Sequence, residues 1–176
     1  MEKNLKTNDE KVAEKYNEIN FMQFPSKQQL DSSKKTFTIL PHDDYELVIS
    51  KIEPKTQQKY QKPDETEDVV NMTLEVQALR DGSEPFDIKG ESAVDRKVFF
   101  TLRPNSLGYK QDGTPSKSRE LLAYSTGQDI DSELGIENWE VLLGKTVYAE
   151  VGKKQNSKGE DKNIILRFLL PPKRTS

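Results

Sequence analysis

The sequence predicts a mainly β domain of five short strands with one helical insert. Apolar residues alternate with polar ones over several short runs, as at Leu74 and Val76, which is typical of half-buried strands. Polar stretches rich in Gly, Pro and Asp separate these runs, for example at Asp81-Gly82, and such residues favour turns. Between 117 and 143 the alternation stops, and the apolar spacing there suits helical turns instead.

The first three strands are predicted from composition and alternation. In "YELVISKIE" Tyr45, Leu47 and Ile49 alternate to one side, and "VVNMTLEVQAL" alternates in the same way. The segment between them, "PKTQQKYQKPDETED", has two prolines and no apolar rhythm, so we expect a long loop there. "RKVFFTLR" indicates the third strand because β-branched and aromatic residues are concentrated in it.

A short helix and a closing hairpin complete the predicted set. Leu121 and Leu122 suit a helix that starts at a Ser116 or Ser118 cap and stops at Gly127. "TVYAEVG" and "NIILRFLLP" then pair around a loop rich in lysine. The predicted elements are therefore strands at roughly 45–53, 69–79, 96–103, 145–152 and 162–169, with the helical insert at about 117–143.

This order of elements is that of the OB-fold, a five-stranded Greek-key barrel that can carry a helix between its third and fourth strands. We therefore predict an OB-fold-like five-stranded barrel over residues 36–171. An N-terminal arm, partly flexible or helical, is predicted at 1–35, and a short flexible tail at 172–176.

Composition narrows the class of protein. The chain has 176 residues, a net charge of −3, no cysteine and the single histidine His42, which together exclude disulfides, zinc ribbons and thiol catalysis. No run of about 18 apolar residues indicates a membrane span. The first 18 residues are charged throughout and lack the apolar segment of a signal peptide. We therefore expect a cytoplasmic protein with no membrane partner.

Charge occurs in blocks along the chain. From Arg96 to Arg119 there are six basic residues and one acid, and from Asn138 to the end eight basic residues and four acids. The compensating acids lie elsewhere, so a net charge near neutrality can hide a basic face. Whether the two basic blocks share one face is open at this stage.

Catalytic patterns are absent from the sequence. It contains no phosphate-cradling G-x-x-x-x-G-K motif, nucleophile elbow or dinucleotide fingerprint. The "HDD" at 42–44 immediately precedes a strand and indicates turn chemistry, and "DETED" at 64–68 indicates a solvated loop. We expect a binding protein that is not an enzyme and has no cofactor and no metal site.

Cations and aromatic rings in the predicted loops indicate a nucleic-acid ligand. Single-strand binding needs cations along the phosphate backbone and rings free to stack on bases, and OB-folds bind across their second and third strands between the first and last hairpin loops. Adjacent Phe99 and Phe100 must point to opposite faces, leaving one ring free. The candidate binding residues are Lys55, Lys59, Tyr60, Arg96, Lys97, Phe99, Arg103, Tyr109, Lys110, Lys153, Lys154 and Lys158.

The stretch from Leu40 to Ile49, "LPHDDYELVI", resembles the opening "L-P-x-G-x-Y-x-x-x-I" of a family of small phage and prophage proteins of uncertain function. "MTLEVQALRDG", "DRKVFF", "ELLAYSTG" and the closing hairpin are similar to that family's later elements, so the resemblance covers about residues 38–169. Asp43 stands where the family has a turn glycine. The resemblance implies an OB-like fold and a role in phage DNA replication or recombination.

The sequence thus predicts a phage-type protein that binds single-stranded DNA, or RNA, with little sequence preference, in the cytoplasm of an infected or lysogenic bacterial host. Phage or host replication and recombination proteins are further expected partners. The alternative is a protein-interaction module that docks such a partner through the barrel and the apolar 19–24 segment of the arm.

Overall fold

The computed structural model describes residues 39–173. The predicted arm at 1–35, with its apolar 19–24 segment, and the end of the predicted tail at 174–176 lie outside these residues. Among the described residues, no helix combines the length and apolar character needed to cross a membrane. The elements are β1 (Asp43–Lys59), β2 (Lys62–Leu79), β3 (Lys97–Leu102), a 3-10 turn (Pro104–Ser106), α1 (Lys117–Thr126), a second 3-10 turn (Trp139–Leu142), β4 (Thr146–Gln155) and β5 (Asp161–Leu169).

The strands form one antiparallel sheet in the order β3-β2-β1-β4-β5. The predictions of a mainly β domain with five strands and a helix between the third and fourth are confirmed. The closed barrel is not confirmed, because the edge strands β3 and β5 share no ladder in the described residues. Instead the rings of Phe100 and Phe168 meet edge to face at 5.0 Å, and the backbone N–H of Phe168 donates to the carboxylate of Glu120 on α1.

The prediction of a long loop over 54–68 is wrong. β1 and β2 continue as a two-stranded ribbon, here called the ribbon, that turns at Tyr60-Gln61. Polar pairs across it replace an apolar core: the hydroxyl of Thr56 donates to Asp68 at 2.7 Å, and such cross-strand pairs stabilise a ladder. Pro54 is tolerated because β4 pairs with β1 only as far as Val48, so this part of β1 is a sheet edge.

The core lies on one face of the sheet and is completed by α1. Alternate residues of β1 and β2, such as Leu47, Ile49, Met72 and Leu74, are fully buried, as the period of two predicts. Leu121 and Leu122 of α1, together with Leu142, complete this core. Ser116 caps the start of the helix, where its hydroxyl accepts the N–H of Arg119, and Gly127, with φ of 70°, caps its end. One of the two predicted caps and the predicted stop are therefore confirmed.

Tyr45 gives the sheet a measurable pH dependence. The side chain is buried, and its hydroxyl donates to the carbonyl of Pro41 at 2.8 Å. Burial, assisted by Asp43, raises the pKa of Tyr45 from 10.0 to about 12. Between pH 10 and about pH 12 the unfolded chain has released this proton, whereas the folded chain still holds it. The free energy of unfolding therefore falls by about 1.4 kcal/mol for each pH unit in this range.

We therefore expect Tyr45→Phe to cost about 1 kcal/mol near pH 8, because the Pro41 carbonyl loses its donor. The difference from the wild type should shrink and then reverse as the pH approaches 12. Urea unfolding of both proteins at pH 8 and pH 11 measures this difference. An equal difference at the two pH values would contradict the assignment.

Candidate nucleic-acid interface

The cations of the ribbon are largely neutralised within the protein. Lys59 forms an ion pair with Glu65 at 2.7 Å, and Lys62 approaches the same carboxylate at 3.6 Å. The hydrogen bond to Glu65 raises the pKa of Lys59 and lowers that of Glu65. Lys55 and Tyr60 are exposed, Tyr60 to 97% at the tip. The ribbon therefore offers a free ring but little uncompensated positive charge.

The two candidate arginines that flank β3 are likewise occupied by carboxylates. Arg96 donates to the buried carboxylate of Asp87 at 3.2 Å and lies 4.0 Å from Glu91. Arg103 is ion-paired with Glu67, and this hydrogen bond lowers the pKa of Glu67. A phosphate would therefore have to compete with a carboxylate for either arginine.

The outward face of β3 carries a free aromatic ring. Phe99 is 70% exposed, whereas Phe100 packs inward against Phe168, so the prediction that the two rings point to opposite faces is confirmed. Phe99 lies opposite Thr73 of β2, and Lys97, two residues earlier, is exposed on the same face. A cation and a ring thus stand side by side on a regular strand.

Tyr109 is held by α1 and by the segment that follows it. Its hydroxyl donates to Asp131 at 2.5 Å and lies 3.2 Å from the carbonyl of Ile130. The bond to Asp131 is the main reason that the pKa of Tyr109 is raised. The guanidinium of Arg119 lies 4.9 Å from the ring centroid, a cation–π distance. Arg119 therefore occupies part of the ring surface that the sequence analysis assigned to a base.

Arg119 organises the loops beside α1, a role that the sequence analysis missed. Its Nε donates to the carbonyl of Ile130 at 2.7 Å, its Nη1 to Leu107 at 2.9 Å and its Nη2 to Ser132 at 2.6 Å. No local pattern predicts these contacts, since their acceptors are backbone atoms 11 to 13 residues away. These three hydrogen bonds of Arg119, here called the clamp, join the loop that carries Tyr109 and Lys110 to the segment after the helix.

The β4–β5 hairpin carries the remaining candidate lysines. Lys153 lies opposite Asn163 in the ladder, and Lys154 lies opposite Lys162. Lys158 is exposed in the tight turn at the tip, where its N–H donates to the side chain of Asn156 at 2.9 Å. This hairpin therefore carries positive charge on two paired strands and at the turn between them.

Lys117, which the sequence analysis did not select, interacts electrostatically with two of the candidates, Lys110 and Lys154. Burial lowers the pKa of Lys117, and the neighbouring charges of Lys110 and Lys154 lower it further, against a raising effect of Glu120. The fold thus brings together three lysines from the loop after β3, the start of α1 and the β4–β5 hairpin. Their separation of up to 44 positions in the chain explains why spacing could not reveal them.

The ribbon and the β4–β5 hairpin, the first and last hairpins between which an OB-fold binds its ligand, leave the sheet in opposite directions. The β1–β4 ladder runs from Asp43 opposite Val151 to Val48 opposite Thr146. Lys59 lies beyond the Val48 end of this ladder, and Lys154 lies beyond the Asp43 end. The ladder itself therefore does not bring Lys59 and Lys154 together.

A cavity of about 350 Å³ opens near the end of β2, lined by Asp43, Asp44, Leu79, Arg80, Asp81 and Pro172. Its three carboxylates against one arginine disfavour an anionic ligand. Within residues 39–173 no three His, Asp or Glu side chains are grouped so that they could hold a metal ion.

Comparison with known proteins found no match that would assign a function to this surface. No protein-family model matches the chain, and no curated protein shows significant similarity to it.

Proposed function

We propose that this chain is an OB-like protein that binds single-stranded DNA with little sequence preference. The proposal places it in phage DNA replication or recombination, in the cytoplasm of a bacterial host. The observation that carries the proposal is Phe99, 70% exposed on the outward face of β3 with Lys97 beside it.

The exposed ring on β3 matches the chemistry of the ligand. A solvent-exposed apolar ring in the middle of a regular strand does not stabilise the core. Such a ring can stack on a nucleic-acid base, and this contact tolerates any base sequence. Lys97 on the same face can follow the phosphate backbone, and Tyr60 at the ribbon tip is a second free ring. In OB-folds the ligand crosses the second and third strands, where Phe99 lies opposite Thr73.

The arrangement of the elements also supports an OB-like fold. The strand order β3-β2-β1-β4-β5, with α1 between β3 and β4, is that of the OB-fold opened between β3 and β5. Phe100 and Phe168 pack across this opening at 5.0 Å. The phage assignment draws on the sequence resemblance described above.

Phe99→Ala is expected to weaken binding of a single-stranded DNA oligonucleotide about tenfold, the value of one lost stacking contact of about 1.4 kcal/mol. Fluorescence anisotropy with labelled DNA, and with RNA of the same sequence, measures this loss at low and moderate salt. Because the variant retains every cation, the slope of log affinity against log salt should stay the same.

Phe86→Ala is the matched control, since Phe86 is 49% exposed in the loop between β2 and β3. This control should bind DNA like the wild type. No binding of DNA or RNA by the wild type in low salt would remove the proposal and leave the protein-interaction alternative. Equal losses of DNA affinity in Phe99→Ala and Phe86→Ala would contradict the role of Phe99 but would leave the proposal of DNA binding in place.

A further inference from the structure

We propose that a binding site for neighbouring phosphate groups is formed by four lysines, here called the lysine cluster: Lys110, Lys117, Lys154 and Lys162. The identity of its natural ligand, the backbone of single-stranded DNA, rests on the proposed function. The chemistry of the site, recognition of a flexible polyphosphate chain, follows from how the fold places these four lysines.

Three separate segments build the lysine cluster. Lys110 comes from the loop after β3, Lys117 from the first position of α1, and Lys154 and Lys162 from the β4–β5 hairpin. Lys154 and Lys162 are direct ladder partners, so their Cβ atoms are about 5 Å apart and the like charges repel. Lys110 and Lys117 flank one turn, in which the N–H of Lys110 donates to the carbonyl of Thr114 at 2.7 Å and the N–H of Ser116 to that of Gly108 at 2.9 Å. The helix that follows packs against β4 and β5. Lys117 is partly buried, and the charges of Lys110 and Lys154 lower its pKa.

The fold gathers this positive charge without a counterion, whereas it pairs several other cations of the sheet. Five of them have a carboxylate within 4.0 Å: Lys51 with Glu53, Lys59 with Glu65, Arg96 with Asp87, Arg103 with Glu67 and Arg167 with Glu150. Lys97 and Lys153 have no such partner among the described residues, but they come singly and not from three converging segments. In the described part of the chain, none of the four lysines has such a partner. Repulsion without an internal counterion is relieved when an external anion binds.

Two carboxylates whose pKa values the cluster lysines affect, Glu120 and Asp112, are engaged by other donors. Glu120 accepts the backbone N–H of Phe168, and burial raises its pKa despite the opposing effects of Lys110, Arg167 and Lys117. Asp112, which also feels Lys110, accepts the N–H of Thr114 at 3.0 Å and its hydroxyl at 2.6 Å. These carboxylates reduce the local field but leave the lysine ammonium groups available to a ligand.

The ligand class follows from the donors. Lysine offers a flexible point charge with three donors, which suits phosphate oxygens without fixing a base or a planar group. Four such charges from three segments match several successive phosphates better than one isolated anion. The positive end of the ten-residue helix α1, which begins at Lys117, acts in the same direction.

Inorganic tripolyphosphate is the probe, because it presents adjacent phosphates without a base or a sugar. We expect it to shift the backbone amide NMR signals of the four cluster residues in the full chain. Lys117→Gln with Lys154→Gln should weaken its binding roughly tenfold. The same double variant should reduce the salt slope for single-stranded DNA by about 1.4, or about 0.7 for each lost phosphate contact.

Lys89→Gln with Lys145→Gln is the matched control, with the same change in net charge at two exposed lysines outside the cluster. It should leave the tripolyphosphate affinity and the salt slope unchanged. A thermal unfolding scan checks folding, and relief of repulsion should keep the midpoint of the cluster variant at or above that of the wild type.

The outcomes separate this inference from the proposed function. DNA binding with equal salt slopes in the two double variants overturns the lysine cluster and leaves the function standing. Tripolyphosphate binding at the four lysines without DNA binding supports the cluster and overturns the function. Failure to bind either ligand overturns both.

Discussion

Phe168→Ala is expected to lower the free energy of unfolding by about 3–5 kcal/mol, the usual cost of removing a fully buried aromatic ring. Phe168 lies on edge strand β5 and packs against Phe100 of the other edge strand, with 5.0 Å between the two ring centroids. No ladder joins these two strands, so side-chain packing there replaces backbone hydrogen bonds. Loss of the ring would open a cavity and remove the edge-to-face pair, itself a contribution of about 0.5–1.5 kcal/mol.

Urea unfolding followed by tryptophan fluorescence or circular dichroism measures this change. Phe86→Ala serves as the control, because its exposed ring should cost less than about 1 kcal/mol. A loss below about 1.5 kcal/mol in Phe168→Ala would mean that the contact between β3 and β5 contributes little and that the sheet is held by its ladders.

Arg119→Ala is expected to lower the free energy of unfolding by roughly 2–4 kcal/mol, since three hydrogen bonds from a charged donor are lost. The carbonyls of Leu107, Ile130 and Ser132 would lose their donor together. The cation–π contact with Tyr109 would go as well. Because all three donating nitrogens of Arg119 are already engaged, its effect on any ligand would be indirect, through the loop that carries Lys110.

Two further variants isolate the clamp. Arg119→Lys keeps the charge but not the planar fork, so it should recover less than half of the loss. Arg167→Ala removes an arginine that is 61% exposed and paired with Glu150, and exposed pairs contribute about 0–1 kcal/mol. If Arg119→Lys recovered the full free energy of unfolding, or if Arg167→Ala lost as much as Arg119→Ala, the stabilising effect could not come from the planar geometry of the Arg119 guanidinium.

Local patterns predicted the elements of the sheet well. The alternation in "YELVISKIE" and "VVNMTLEVQAL" follows from a period of two over a half-buried sheet, and Leu47 and Leu74 are buried as this requires. Ser116 and Gly127 mark the ends of α1 because capping is a short-range interaction. The ribbon was missed because its stability comes from polar cross-strand pairs such as Thr56 with Asp68, which leave no apolar rhythm.

The candidate site was predicted only in part. Phe99 could be selected because adjacent strand residues face opposite sides, and Lys154 because it lies in a lysine-rich hairpin. That Arg96 and Arg103 are bound to Asp87 and Glu67 depends on contacts across the chain. Spacing along the sequence carries no information about such partners.

The sequence by itself determined the core strands and the helix, because these depend on periodicity and short-range capping. Only the tertiary structure decided which lysine and arginine side chains form ion pairs with carboxylates and which lysines cluster without a counterion. It brought Lys117 beside Lys110 and Lys154, and it left the sheet open between β3 and β5. Electrostatic and packing energies depend on distance in space, and that distance is set only when separate segments fold together.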